Sequence, residues 1–178
     1  VLLAAALLQW RYFLALKADV ITSCCGSLFS DAAPGVTADL AAAPPLPTML
    51  VFYLSLALAS GGALLYRRWQ RCGYLVALLS ALAFAVTMAA VLAFISLYVY
   101  EHPHHHCPFC VLKPDYGYQG YALYGPLFVG TAAGLGVGAV QACAGVPGLQ
   151  SVVPAVAGRL AGLAAGMFLA VAVVASLI

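Results

Sequence analysis

Four stretches of this chain, 48–66, 73–100, 121–143 and 160–178, carry no charged residue and are almost wholly apolar. A helix needs roughly 20 such residues to cross about 30 Å of hydrocarbon, and in lipid every backbone N–H and C=O must be satisfied inside the segment. Runs of this kind leave little choice but a bundle of membrane-spanning helices. The composition agrees: 65% of the 178 residues are hydrophobic and 7% charged, with a mean hydropathy of +1.05, where soluble domains carry about 25% charged residues. A fifth apolar run extends from Val1 to about Ile21 and contains Arg11 and Lys17. A guanidinium in hydrocarbon is costly unless it snorkels or is paired, so the candidates to satisfy Arg11 are Asp19, a lipid phosphate or another subunit. Val1 is not a methionine, and a run that holds two cations and leads into more membrane does not read as a cleavable signal peptide.

The sequence therefore predicts an all-α, polytopic helical bundle forming a single transmembrane domain over 1–178. Its five helices fall at about 1–21, 48–66, 73–100, 121–143 and 160–178, with loops at 22–47 and 101–120. Arg67-Arg68-Trp69-Gln70-Arg71 places the connection after the second helix in the cytoplasm by the positive-inside rule. Both longer loops then share the outer face, which in a bacterial inner membrane is the periplasmic side. Cys72 and Cys143 fall near the inner face, where lone cysteines read as small hydrophobes.

Several chemistries are excluded. A net charge of +2 with no basic run gives nucleic acid no footprint. All five carboxylates, Asp19, Asp31, Asp39, Glu101 and Asp115, lie in loops or at helix ends, so no helix offers a proton or cation relay. No histidine lies within an expected helix, and Cys110 is followed by Val111, which argues against b-type and c-type haem. No Gly-rich phosphate loop or Gly-x-Ser-x-Gly elbow is present.

What remains is concentrated in the two outer loops. The first carries the vicinal Cys24-Cys25, and the second reads Glu101-His102-Pro103-His104-His105-His106-Cys107-Pro108-Phe109-Cys110, holding every histidine in the chain. Thiolate and imidazole select soft or borderline metals. The first expectation is thus an outer-face site for copper or zinc, made by Cys107 and Cys110 with Cys24, Cys25, His102, His104, His105 and His106. The second uses the same sulfurs as a redox relay: a Cys-x-x-Cys dithiol takes electrons by thiol–disulfide exchange from Cys24 or Cys25. The Cys107-Pro108-Phe109-Cys110 motif and the small helical bundle resemble the DsbB and vitamin K epoxide reductase class of membrane oxidoreductases. That resemblance implies two outer thiol pairs with a quinone beside one of them. The vicinal Cys24-Cys25 and the histidine tract depart from that pattern. A third expectation is an accessory subunit whose outer loops are stapled by a disulfide between the two cysteine pairs.

Small residues recur at every fourth position as Ala77, Ala81, Ala85, Ala89 and Ala93, as Gly130, Gly134 and Gly138, and as Gly158, Gly162 and Gly166. Such rows let helices approach closely, within this chain, in a homodimer or against a partner subunit. Tyr98, Tyr100, Tyr116, Tyr118, Tyr121 and Tyr124 read as an aromatic belt at the outer interface, without a part in the chemistry.

Overall fold

The computed structural model describes residues 39–40, 43–100 and 107–178. Four long helices account for most of them: α1 (Pro45–Trp69), α2 (Gly73–Tyr100), α3 (Gln119–Ala142) and α4 (Val152–Leu177). All four are long and apolar enough to cross a membrane, and together they fit an integral membrane protein. The expected helix at 1–21, with Arg11, lies outside the described residues.

Local sequence explains where each helix starts and stops. Pro45 is the first residue of α1, a position where the missing N–H has no acceptor to lose and the fixed φ suits a helix. Gln70 ends it in the left-handed conformation, its N–H bonding Tyr66 O at 2.6 Å. Cys72 is left-handed as well, so the chain reverses within Gln70–Cys72 and α2 runs antiparallel to α1. The start of α4 departs from expectation: the helix begins at Val152, about two turns before Leu160. Pro154 falls in its first turn, where proline breaks no backbone bond, and Arg159 is exposed, so neither residue stops the helix.

Packing follows a closed ring. Helix α1 lies against α2 and α4, and α3 lies against the same two, the arrangement of an up-down-up-down four-helix bundle. The glycine row of α3 is used inside the chain: a Cβ on Gly134 would collide with Ser80 Oγ, one on Gly138 would meet Ala77 Cβ at 2.7 Å, and one on Gly130 would meet Met167 Cβ at 3.0 Å. On α4, the side chains of Gln70 and Arg67 lie over Gly158 and Gly162, whereas Gly166 has open space above it.

The alanine row of α2 does not form a continuous packing face, although Ala77 lies against Gly138 and Ala93 is buried. Ala81 and Ala85 are exposed among the described residues, and the buried stripe runs instead through Val76, Ser80, Ala83, Thr87, Ala90, Val91 and Phe94. Every-fourth positions drift by about 40° per step around a helix of 3.6 residues per turn, so five of them wind off any single face. Larger side chains fill the half of the bundle near Tyr100, where Phe52 and Phe94 meet edge to face at 5.7 Å. In the same half, residues Val91–Ile95 of α2 form a π-helical segment.

Candidate dithiol site at one end of the bundle

Between α2 and α3 the chain makes two short 3₁₀ turns, Cys110–Leu112 and Pro114–Tyr116. Lys113 N donates to Cys110 O at 2.9 Å and Gly117 N to Pro114 O at 3.0 Å. Gly117 and Tyr118 then both take left-handed backbone conformations, and α3 starts at Gln119. Two consecutive residues of this kind fold the turn back over the start of α3. Gly120 makes the close approach achievable, because a Cβ there would stand 2.7 Å from Val111 Cγ1 and 2.8 Å from Leu112 Cδ2.

This packing draws the cysteines inward. Cys107 has no exposed surface and Cys110 is 8% exposed, while Phe109 between them is 61% exposed. Two tyrosines hold the turn by its main chain: Tyr100 at the end of α2 donates to Cys107 O, and Tyr124 in α3 donates to Pro108 O at 2.7 Å. The ring of Tyr116 packs edge-on against Tyr100 at 4.6 Å, completing an aromatic collar on that side. Of the six tyrosines expected to form a belt, Tyr98, Tyr118 and Tyr121 are exposed, whereas Tyr100 and Tyr124 are buried clamps on the cysteine turn. Sequence reasoning passed over these two. Their position at helix ends flanking a Cys-x-x-Cys was the available signal.

Both cysteines are free thiols, and the Cys110 side chain lies near enough to the Cys107 thiol to affect its proton affinity. Burial pushes the Cys107 thiol above its ordinary range, and the contact with Cys110 adds to that rise. The backbone N–H groups of Phe109 and Cys110, directed at the Cys107 sulfur, pull the other way. At neutral pH Cys107 is thus a protonated thiol in a dry setting, with stabilising dipoles already aimed at its sulfur. Cys110, with its small exposed surface, is the more accessible of the two.

Cys24, Cys25, His102, His104, His105 and His106 lie outside the described residues. Among the described residues no group of three or more His, Cys, Asp or Glu side chains gathers in the way a metal cluster requires. Cys72 and Cys143 are exposed at the opposite end of the bundle, beside the α1–α2 turn and the end of α3. The chain matches no family model, and neither a curated protein nor a solved structure shows significant similarity to it.

Proposed function

We propose that this chain is an integral membrane protein in which Cys107 and Cys110 cycle between dithiol and disulfide. In this reading the Arg67–Arg71 end faces the cytoplasm and the cysteine turn faces the outer side, the periplasm of a bacterial inner membrane. The carrying observation is the Cys107–Cys110 pair, both of its thiols buried and free and its turn clamped through the backbone by Tyr100 and Tyr124. Two buried thiols spaced as Cys-x-x-Cys on one tight turn need little movement of that turn to form a bond. Oxidation breaks two S–H bonds and forms one S–S bond, releasing two protons and two electrons. A quinone is a fitting acceptor, since reduction to the quinol takes up both protons and both electrons. An apolar groove of about 310 Å³ lined by Met49, Tyr53, Phe94, Ile95, Tyr98 and Ile178 opens at the same end of the bundle and is of ligand-pocket size. Cys24 and Cys25 are the candidate donors that return the pair to the dithiol.

The test is a count of free thiols before and after exposure of the reduced protein to a short-chain ubiquinone in detergent. The proposal expects the wild type to lose two thiols per chain at Cys107–Cys110, and two more when Cys24 and Cys25 reduce that pair for a second turnover, while Cys107→Ser and Cys110→Ser each keep the one thiol of the pair that remains and keep Cys24 and Cys25 reduced. Identical titres in wild type and variants would sink it.

A second reading, a soft-metal site, is favoured by the same convergence of two sulfurs. The described pair fills two of the four positions of tetrahedral zinc or offers a thiolate pair to copper(I), and His102, His104, His105 and His106 stand next to it in the sequence. Metal retained stoichiometrically through chelator-free purification, and lost in Cys107→Ser with Cys110→Ser, would favour this reading over the first.

A further inference from the structure

The end of the bundle opposite the dithiol carries its own binding geometry. Arg67 and Arg68 close α1, Arg71 sits in the turn to α2, and Arg159 lies in the second turn or so of α4. The described carboxylates, Asp39 just ahead of α1 and Asp115 in the turn before α3, both belong to the other end. Among the described residues these arginines therefore have no acidic partner, although a guanidinium stays charged at any physiological pH.

Two adjoining cavities give that charge a shape. One, of about 510 Å³, is an open hollow bordered, among the described residues, by Arg68, Trp69 and Arg71. The other, of about 340 Å³, is a mainly apolar slot lined by Gly62, Leu65, Tyr66, Trp69, Arg71, Cys72, Leu75 and Val76. They share Trp69 and Arg71, so the cationic hollow leads into a slot between α1 and α2 that runs toward the membrane interior. Trp69 is 64% exposed, and Leu65 and Leu75 are half exposed; the left-handed residues Gln70 and Cys72 on either side of Arg71 set its place in the turn.

We infer that this end binds one anionic phospholipid, its phosphate in the hollow beside Arg68, Trp69 and Arg71 and the upper part of an acyl chain in the slot beneath. The fork of a guanidinium matches phosphate oxygens in pairs. An indole at headgroup depth fits the boundary between the two. Charge without an acidic partner, continuous with an apolar slot at the membrane edge, is complementary to a molecule that is anionic at one end and hydrocarbon at the other.

The full chain, purified in detergent and offered equal amounts of dioleoyl phosphatidylglycerol and dioleoyl phosphatidylcholine, is examined by native mass spectrometry for retained lipid and by thermal unfolding. The phosphatidylglycerol adduct is expected to exceed the phosphatidylcholine adduct at least ten-fold and to raise the unfolding midpoint. Each arginine near a phosphate is worth about five-fold in affinity, so Arg68→Gln with Arg71→Gln should lower phosphatidylglycerol retention by about 25-fold, whereas Arg159→Gln, which lines neither cavity, should lower it by less than about five-fold. Equal retention of the two lipids by the wild type overturns the inference, as does full retention by the double variant. Inorganic phosphate at millimolar concentration should leave the midpoint where it was; a shift equal to that from phosphatidylglycerol would make this a free-anion site and overturn the lipid assignment.

Discussion

Tyr124 reaches back 16 residues to donate its phenolic hydrogen to the carbonyl of Pro108 at 2.7 Å, so a side chain of α3 holds the middle of the cysteine turn. Tyr100 does the same for Cys107 from the end of α2. The turn is thereby tied to both helices that flank it. Removing either hydroxyl withdraws the donor from a buried carbonyl, which costs about 1–3 kcal/mol. Tyr100→Phe and Tyr124→Phe are each expected to lower the unfolding midpoint and to speed alkylation of Cys107 under native conditions, as read by peptide mapping. Unchanged alkylation in both variants would show that the hydroxyls do not hold the turn.

Gly120 gives a sharper version of the same idea. A methyl group there would meet Val111 and Leu112 at under 3.0 Å, and overpacking of this kind costs about 1–3 kcal/mol. Gly120→Ala should therefore lift the turn and expose Cys107, while Gly125→Ala, in open space five residues along α3, should leave thiol reactivity as it is and stabilise the helix by about 0.5–1 kcal/mol. Stabilisation of Gly120→Ala equal to that of Gly125→Ala, with Cys107 no more reactive, would show that the close contact with Val111 and Leu112 does not hold the turn.

The raised affinity of Cys107 for its proton has a direction that can be checked. Alkylation proceeds through the thiolate, so its rate at Cys107 should climb only as pH rises through a value above the ordinary thiol range near about 8.5. The linked stability has a matching sign. A thiol whose proton is held more tightly in the folded state contributes stability that is full below the unfolded value and is lost as pH rises through the folded one. A rate profile for Cys107 with its midpoint at or below the ordinary thiol value would contradict the burial described for it.

Thr87 offers a prediction of the opposite sign. Its hydroxyl is fully buried in α2 and has no hydrogen-bond partner among the described residues. Thr87→Val keeps the shape and removes the unpaired polar group, and should stabilise the bundle by about 1 kcal/mol. A fall in the unfolding midpoint would mean that the hydroxyl has a partner within the bundle.

The helices were the most legible part of this chain, because a bilayer imposes length and apolarity together and few sequences satisfy both by accident. Their ends were less so. Arg159 looked like a boundary, yet an exposed cation near a helix start is easily tolerated, and the break falls earlier around Gly148, which is left-handed. The alanine row misled because regular spacing in sequence is not constant direction in space. At the site, the Cys-x-x-Cys was visible as a candidate, but burial of its first sulfur was not, since that depends on Gly120 lying beneath Val111 and on two phenols arriving from helices on either side. Only the tyrosines' place at helix ends flanking the Cys-x-x-Cys hinted at those contacts in the sequence.

The π-helical segment at Val91–Ile95 has a bearing on everything downstream of it in α2. Such a segment accommodates one residue more than a regular turn, which shifts the phase of the following residues by about 100°. Were the same sequence wound as a regular α-helix throughout, the place from which Tyr100 meets Cys107 would fall to Val99, which has no hydroxyl to offer. Deleting a single residue from the segment would thus let α2 wind regularly with Tyr100 still aimed at Cys107, the dithiol's own sequence being untouched.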